Sequence, residues 1–197
     1  ATFRHIPTGK RFLFIHIPRT AGRFVETNLI VNNEFEWCDD WEKFGIERMF
    51  ESVDGPEGEI ELGHFHRSYY EKYLDCEGIP HVSIIRAYGN DIQELMEDEN
   101  YFYPMLRNFP FDESKNWYRS QLDYLSDKTH IWRFEDGFKD NFSEWLSEII
   151  GVEVKMKEDT QYWGQPDEGR KLKPTPKLLE NVRKLYREEI EKFYPDI

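Results

Sequence analysis

The chain has 197 residues, 26 Lys+Arg against 39 Asp+Glu, and a formal charge of −13. That balance excludes a general nucleic-acid binder, which needs a broad basic face, and it disfavours docking on an anionic membrane. Aromatic residues at 16% supply a core, so the expectation is a single domain over residues 1–197 rather than a disordered chain.

In chain order, residues 12–17 form a short apolar run ending at Pro18 and read as a buried strand. Residues 20–22 read as a turn and 23–30 as the opening of a helix. Residues 40–50 read as a helix with Trp41, Phe44 and Met49 near one face. Residues 52–59 are rich in Gly, Pro and acids and read as a loop, and 61–64 as a strand end. Residues 81–85 make a second strand, followed by a polar turn and a helical stretch over 91–96. A helix is expected over 114–125 and a third strand over 129–134. Residues 138–150 are amphipathic and stop at Gly151, a usual helix-terminating position. Thr175 and Pro176 supply a cap and first residue for one long last helix to about Tyr194. Strands alternating with helices imply an α/β fold around a central parallel sheet flanked by helices.

Charge is unevenly placed along the chain. Residues 1–25 contain Arg4, Lys10, Arg11, Arg19 and Arg23 and no acid. A second acid-free stretch, 169–179, carries Arg170, Lys171, Lys173 and Lys177. Two basic islands in an acidic chain point to a small anion held at one place. Cys38 and Cys76 allow at most one bridge. No apolar run has membrane-span length and no signal-peptide core is visible, so a cytoplasmic protein with no membrane partner is expected.

The segment IHIPRTAGRF, residues 15–24, stands between the first strand and the first helix. Ligands of open α/β sheets bind beyond the carboxyl ends of the strands. A strand–turn–helix corner there aims backbone N–H groups and a helix N-terminus at one point, which suits phosphate or sulfate. Thr20 adds a hydroxyl, and Arg19 and Arg23 add charge. It is not a Walker loop, because Gly9 and Lys10 are followed by Arg11 rather than Ser or Thr.

This segment resembles the 5′-phosphosulfate loop of carbohydrate sulfotransferases, written H-I-P-K-T-A-G-T-S in that family. Those enzymes move a sulfuryl group from 3′-phosphoadenosine 5′-phosphosulfate (PAPS) to a hydroxyl or amine. The match lies in Ile15, His16, Ile17, Pro18, Thr20, Ala21 and Gly22. It departs at Arg19, where the family has lysine, and at Arg23 and Phe24, where it has Thr-Ser. Residues 61–65, ELGHF, are similar to the segment carrying the catalytic base in several O-sulfotransferases. Residues 81–86 resemble the strand that leads to the 3′-phosphate site. Arg86 matches there, whereas Asp91 and Glu94 stand where the family has arginine and serine. EGRKLKP, 168–174, resembles the loop that closes over the 3′-phosphate, and IWRFED, 131–136, resembles the family strand ending in R-x-E-D.

The resemblance implies a P-loop-like three-layer fold and PAPS as sulfuryl donor, without a metal. It implies a cradle of Arg19, Thr20, Ala21, Gly22, Arg23 and Phe24 and a 3′-phosphate site of Arg86, Arg170 and Lys171. His64 is implied as the base and Arg19 as the group neutralising the bridging oxygen. The acceptor is a glycan or another small hydroxyl or amine compound. Two other classes stay open at this stage: a metal-dependent nucleotide phosphotransferase, and a non-catalytic module that binds nucleotide or glycan. His64 and His66 form an H-x-H pair that would also suit zinc, without companion ligands at metal spacing. His16, read as a strand residue, is assigned a structural role.

Overall fold

A computed structural model of the chain describes residues 1–18, 20–39, 52–55, 58–61, 64–86, 120–160 and 176–195. The chain divides into two compact units. One comprises Ala1–Ile85 and Ser114–Trp163, the other Arg86–Glu113 and Gly164–Ile197. The fold is mixed α/β.

The first unit holds strands β1 (Thr2–His5) and β2 (Arg11–Ile15), helix α1 (Gly22–Asn32), and strand β3 (Phe35–Trp37). A hairpin of β4 (Ser52–Gly55) and β5 (Gly58–Glu61) follows, then helix α2 (Arg67–Tyr73), strands β6 (His81–Ile85) and β7 (Thr129–Arg133), and helix α3 (Asp140–Ile150). The main sheet runs in the order β3-β1-β2-β6-β7. Strands β2, β6 and β7 are parallel, while β1 runs antiparallel to both β2 and β3. The expected parallel sheet is therefore present in three strands and extended by β1, which runs against them, and by β3, which runs with them; the sequence reading included neither.

Central β2 shows why its sequence is so apolar. Phe12, Leu13, Phe14 and Ile15 are all buried, as a strand with neighbours on both edges and covered faces requires. In β6 the polar residue Ser83 is buried too, and its hydroxyl donates to the Ile15 carbonyl at 2.9 Å. That bond satisfies the buried hydroxyl and ties the last residue of β2 to its neighbour, where the chain leaves the sheet. Phe3, Phe12, Phe14, Val25, Leu29, Val82, Ile84, Phe142 and Leu146 form the core between sheet and helices.

Three local expectations are corrected. Residues 52–59 are not a loop: 52–55 and 58–61 pair as an antiparallel hairpin. No helix runs continuously over 114–125, because Ser120 has an extended ψ of 141° and its Oγ accepts from the Leu122 N–H. This is the local side-chain bond by which serine starts a turn instead of continuing a helix; within the described part of this stretch, Gln121–Tyr124 wind as a 3₁₀ turn. The last helix is two, α4 (Pro176–Leu185) and α5 (Arg187–Phe193), separated at Tyr186. Helix α3 ends as expected at Gly151, whose φ of 67° is left-handed and whose N–H bonds the Ser147 carbonyl. Both cysteines are free thiols. The helix expected at 40–50 and the helical stretch at 91–96 lie outside the described residues.

Residues 154–157 are held by two helices without any strand beside them. Successive N–H groups donate alternately to α3 and to α1 or the residue that ends it: Val154 to Ser147 Oγ (2.9 Å), Lys155 to Asn33 Oδ1 (2.7 Å), Met156 to Ser143 Oγ (3.0 Å) and Lys157 to Asn28 Oδ1 (2.8 Å). Asn28 and Asn33 return bonds from their amides to the carbonyls of Lys157 and Lys155. Extended chain alternates its N–H groups side to side, so serines four apart on one helix and asparagines five apart on the other can share them.

Candidate functional site

The site is built at the carboxyl end of β2. Residues 16–18, 20 and 21 lie beyond the strand, and Ala21 takes a left-handed conformation (φ 67°, ψ 19°) that turns the chain into α1. Alanine is uncommon there, since its Cβ crowds the following carbonyl. No side chain caps the N-terminus of α1, and no acid lies in its first turn. The partial positive charge of this 11-residue helix end is thus left without a local counter-charge from its own side chains.

Thr20 is buried, and its hydroxyl donates to the Ile17 carbonyl at 2.9 Å. A threonine has one O–H to give, so in this arrangement it closes the turn and offers only its lone pairs elsewhere. Arg23 is exposed on the first turn of α1. Phe24 packs edge-on against Phe138 at 5.6 Å and joins the core, so its place in the cradle segment is structural.

The centre of the arrangement is His16, one residue beyond β2. A Cβ on Gly22 would stand inside 3.0 Å of the His16 Cδ2, Nε2 and Cγ, closer than such atoms come. Gly22 is therefore glycine because the Cδ2–Nε2 edge of the imidazole lies against it. On its other side, His16 Nδ1 is 3.3 Å from Glu26 Oε2, with both side chains only 4% exposed. Glu26 comes from the second turn of α1, so helix and loop fold back on one another through this pair. Burial pushes the Glu26 carboxyl up, but His16 beside it outweighs burial and holds it below the usual carboxylate range.

His64 closes the cluster. It is buried, and its ring meets the His16 ring edge to face, centroids 4.5 Å apart at 70°. His66 turns elsewhere: it begins α2, its Nδ1 is 3.0 Å from Ser68 Oγ, and its ring lies against Tyr69. The H-x-H pair is thus split between two environments, and among the described residues no group of three His, Cys, Asp or Glu has metal-holding geometry.

The structure thus brings Thr20, Ala21, Gly22 and Arg23 to one helix start and places His64 behind it, with His16 between. Arg86 directly follows β6 and is half-buried. Arg19, Arg170 and Lys171 lie outside the described residues. Glu26 is the residue that sequence reasoning missed. Its only signal is an acid between the buried Val25 and the buried Thr27 of α1, a place where charge needs a partner.

No protein-family model, curated protein or solved structure matches the chain. Among the described residues, no helix is long and apolar enough to cross a membrane.

Proposed function

We propose that the chain is a PAPS-dependent sulfotransferase of P-loop-like fold that transfers a sulfuryl group to a hydroxyl or amine of a glycan or small acceptor. The observation carrying this reading is the meeting of two segments about 40 residues apart in sequence: the His64 ring packs on His16, and His16 on Gly22 of the loop. A proton acceptor and an uncapped helix start, the two parts that such a transfer requires, stand on either side of one imidazole.

In this reaction the acceptor oxygen or nitrogen attacks sulfur in line as the bond from sulfur to the bridging phosphate oxygen breaks. The acceptor proton passes to His64, and 3′,5′-phosphoadenosine leaves with the bonding electrons. Positioning and electrostatics dominate such a step, as they do in phosphoryl transfer. The N-terminus of α1 with Gly22 and Arg23 faces the 5′-phosphosulfate, and Arg19 neutralises the bridging oxygen. The 3′-phosphate falls to Arg86, Arg170 and Lys171; their assignment rests on the sequence resemblance.

The test is isothermal titration of 3′,5′-phosphoadenosine and 5′-AMP. The expected gap is at least about tenfold, or about 1.4 kcal/mol, in favour of the bisphosphate. Arg86→Ala or Arg170→Ala narrows that gap without abolishing 5′-AMP binding. Equal affinities in the wild type defeat the reading and leave a nucleotide-binding module without a 3′-phosphate site.

A further inference from the structure

We propose that Glu26 and His16 are a positioning pair for the base: Glu26 holds a proton on Nδ1 of His16, and the ring so fixed sets where His64 stands relative to the loop. The kinetic part of this inference rests on the sulfotransferase reading, while the proton placement does not.

A carboxylate with 4% exposure has few ways to remain in a fold. Transfer of an unpaired charge from water costs far more than a domain tolerates, so a proton donor has to face it. Within the cluster, the His16 Nδ1 lies 3.3 Å from Oε2, an ion-pair distance without hydrogen-bond alignment, and Nδ1 has no hydrogen-bond partner among the described residues, so the carboxylate is the acceptor in reach of a proton there. The proton on Nδ1 also decides the opposite nitrogen, because in a neutral imidazole one nitrogen donates and the other accepts. The opposite edge, Nε2 and Cδ2, is the edge that presses on Gly22.

His16 is confined on three sides, by the carboxylate, the glycine and the His64 ring. Any rotation of His16 moves it against the first residue of α1 or away from Glu26. Ring–ring contacts at this separation prefer defined orientations, so the His64 ring follows. Glu26 touches neither the acceptor nor the donor in this scheme and acts only through His16. A displacement of about 1 Å in such a supporting group lowers turnover on the order of 10²-fold.

The experiment has two arms. Long-range ¹⁵N–¹H correlation spectra of histidine-labelled wild-type protein report which ring nitrogen of His16 carries the proton. Nδ1 protonated is the expected result; a bare Nδ1 overturns the proposal without any variant. The second arm compares wild type with Glu26→Gln, using PAPS with N-acetylglucosamine and tyramine as acceptor probes. The amide can donate as well as accept, so His16 should show mixed tautomers. The kcat should fall on the order of 10²-fold while 3′,5′-phosphoadenosine affinity stays within about threefold. Unchanged kcat overturns the pair as a positioning device, and equal loss of kcat and affinity marks it as purely structural. If Glu26→Gln does not fold, Glu26→Asp, which keeps the charge but retracts it by one methylene, carries the same comparison. A wild-type chain that transfers nothing to either probe defeats the functional reading, and the ¹⁵N spectrum alone then decides the proton placement.

Discussion

The imidazole of His16 occupies the space that any side chain at residue 22 would need. Gly22→Ala therefore pushes a methyl group into a buried ring that Glu26 and His64 keep from moving aside. We expect a loss of about 1–3 kcal/mol, the usual range for overpacking, read as a lower midpoint in urea. His16→Ala in the same chain opens the space, so the double variant should recover part of that loss. Strictly additive effects in this cycle would show that the two residues do not collide.

The two histidines around Phe65 should separate by function. His64→Ala is expected to lower turnover on the order of 10²–10⁴-fold with little change in nucleotide affinity. His66 stands at the start of α2 beside Ser68 and Tyr69, so His66→Ala should cost stability and leave turnover nearly intact. Steady-state kinetics with a melting curve for each variant distinguishes them. Equal losses of turnover, or activity restored by zinc, would remove His64 as the base.

Glu26 predicts an acid dependence with a definite sign. Its folded-state pKa lies below the ordinary value of 4.5, so it contributes stability that is complete above that pH. The contribution fades as pH falls through the lower folded-state value, where the buried carboxylate takes up a proton. The stability difference between wild type and Glu26→Gln should therefore persist from neutral pH down to 4.5 and shrink only below it. Urea titrations at stepped pH measure this difference directly. A difference already vanishing between neutrality and mild acid would mean that some other group is being titrated.

Much of this molecule is legible in its sequence where burial is two-sided or a helix has one apolar stripe. The run RFLFI and the strand HVSII have no polar alternation because both faces are covered, so period alone locates them. Gly151 marks the end of α3 because only a left-handed residue continues the chain there. Strand β1 escaped because four residues, two of them Arg4 and His5, present the same basic appearance as the loop that follows them. The hairpin at 52–61 escaped because its acidic, glycine-rich chain has no aromatic residue and one β-branched residue per strand, Val53 and Ile60, too few to mark a strand. The break at Tyr186 carries neither Gly nor Pro, the residues by which helix ends are read.

The site divides along the same line. The loop IHIPRTAG and His64 are visible as motifs, because each places a chemically distinctive residue type at a fixed spacing. Glu26 and the role of His16 are not, since their meaning lies in a contact between a helix turn and a strand end. A buried acid at position 26 acquires significance only once an imidazole stands 3.3 Å away.

The asparagine contacts of α1 bear on how this part of the fold can open. Asn28 Oδ1 accepts from the Thr160 hydroxyl at 3.1 Å and Asn32 Nδ2 donates to it at 2.9 Å, so Thr160 is pinned to the C-terminal half of α1. Asn28 also holds Lys157, and Ser143 and Ser147 of α3 hold Met156 and Val154. The segment 154–160 therefore cannot leave one helix without losing bonds that also seat it on the other, and local opening here takes both helices and the strap together.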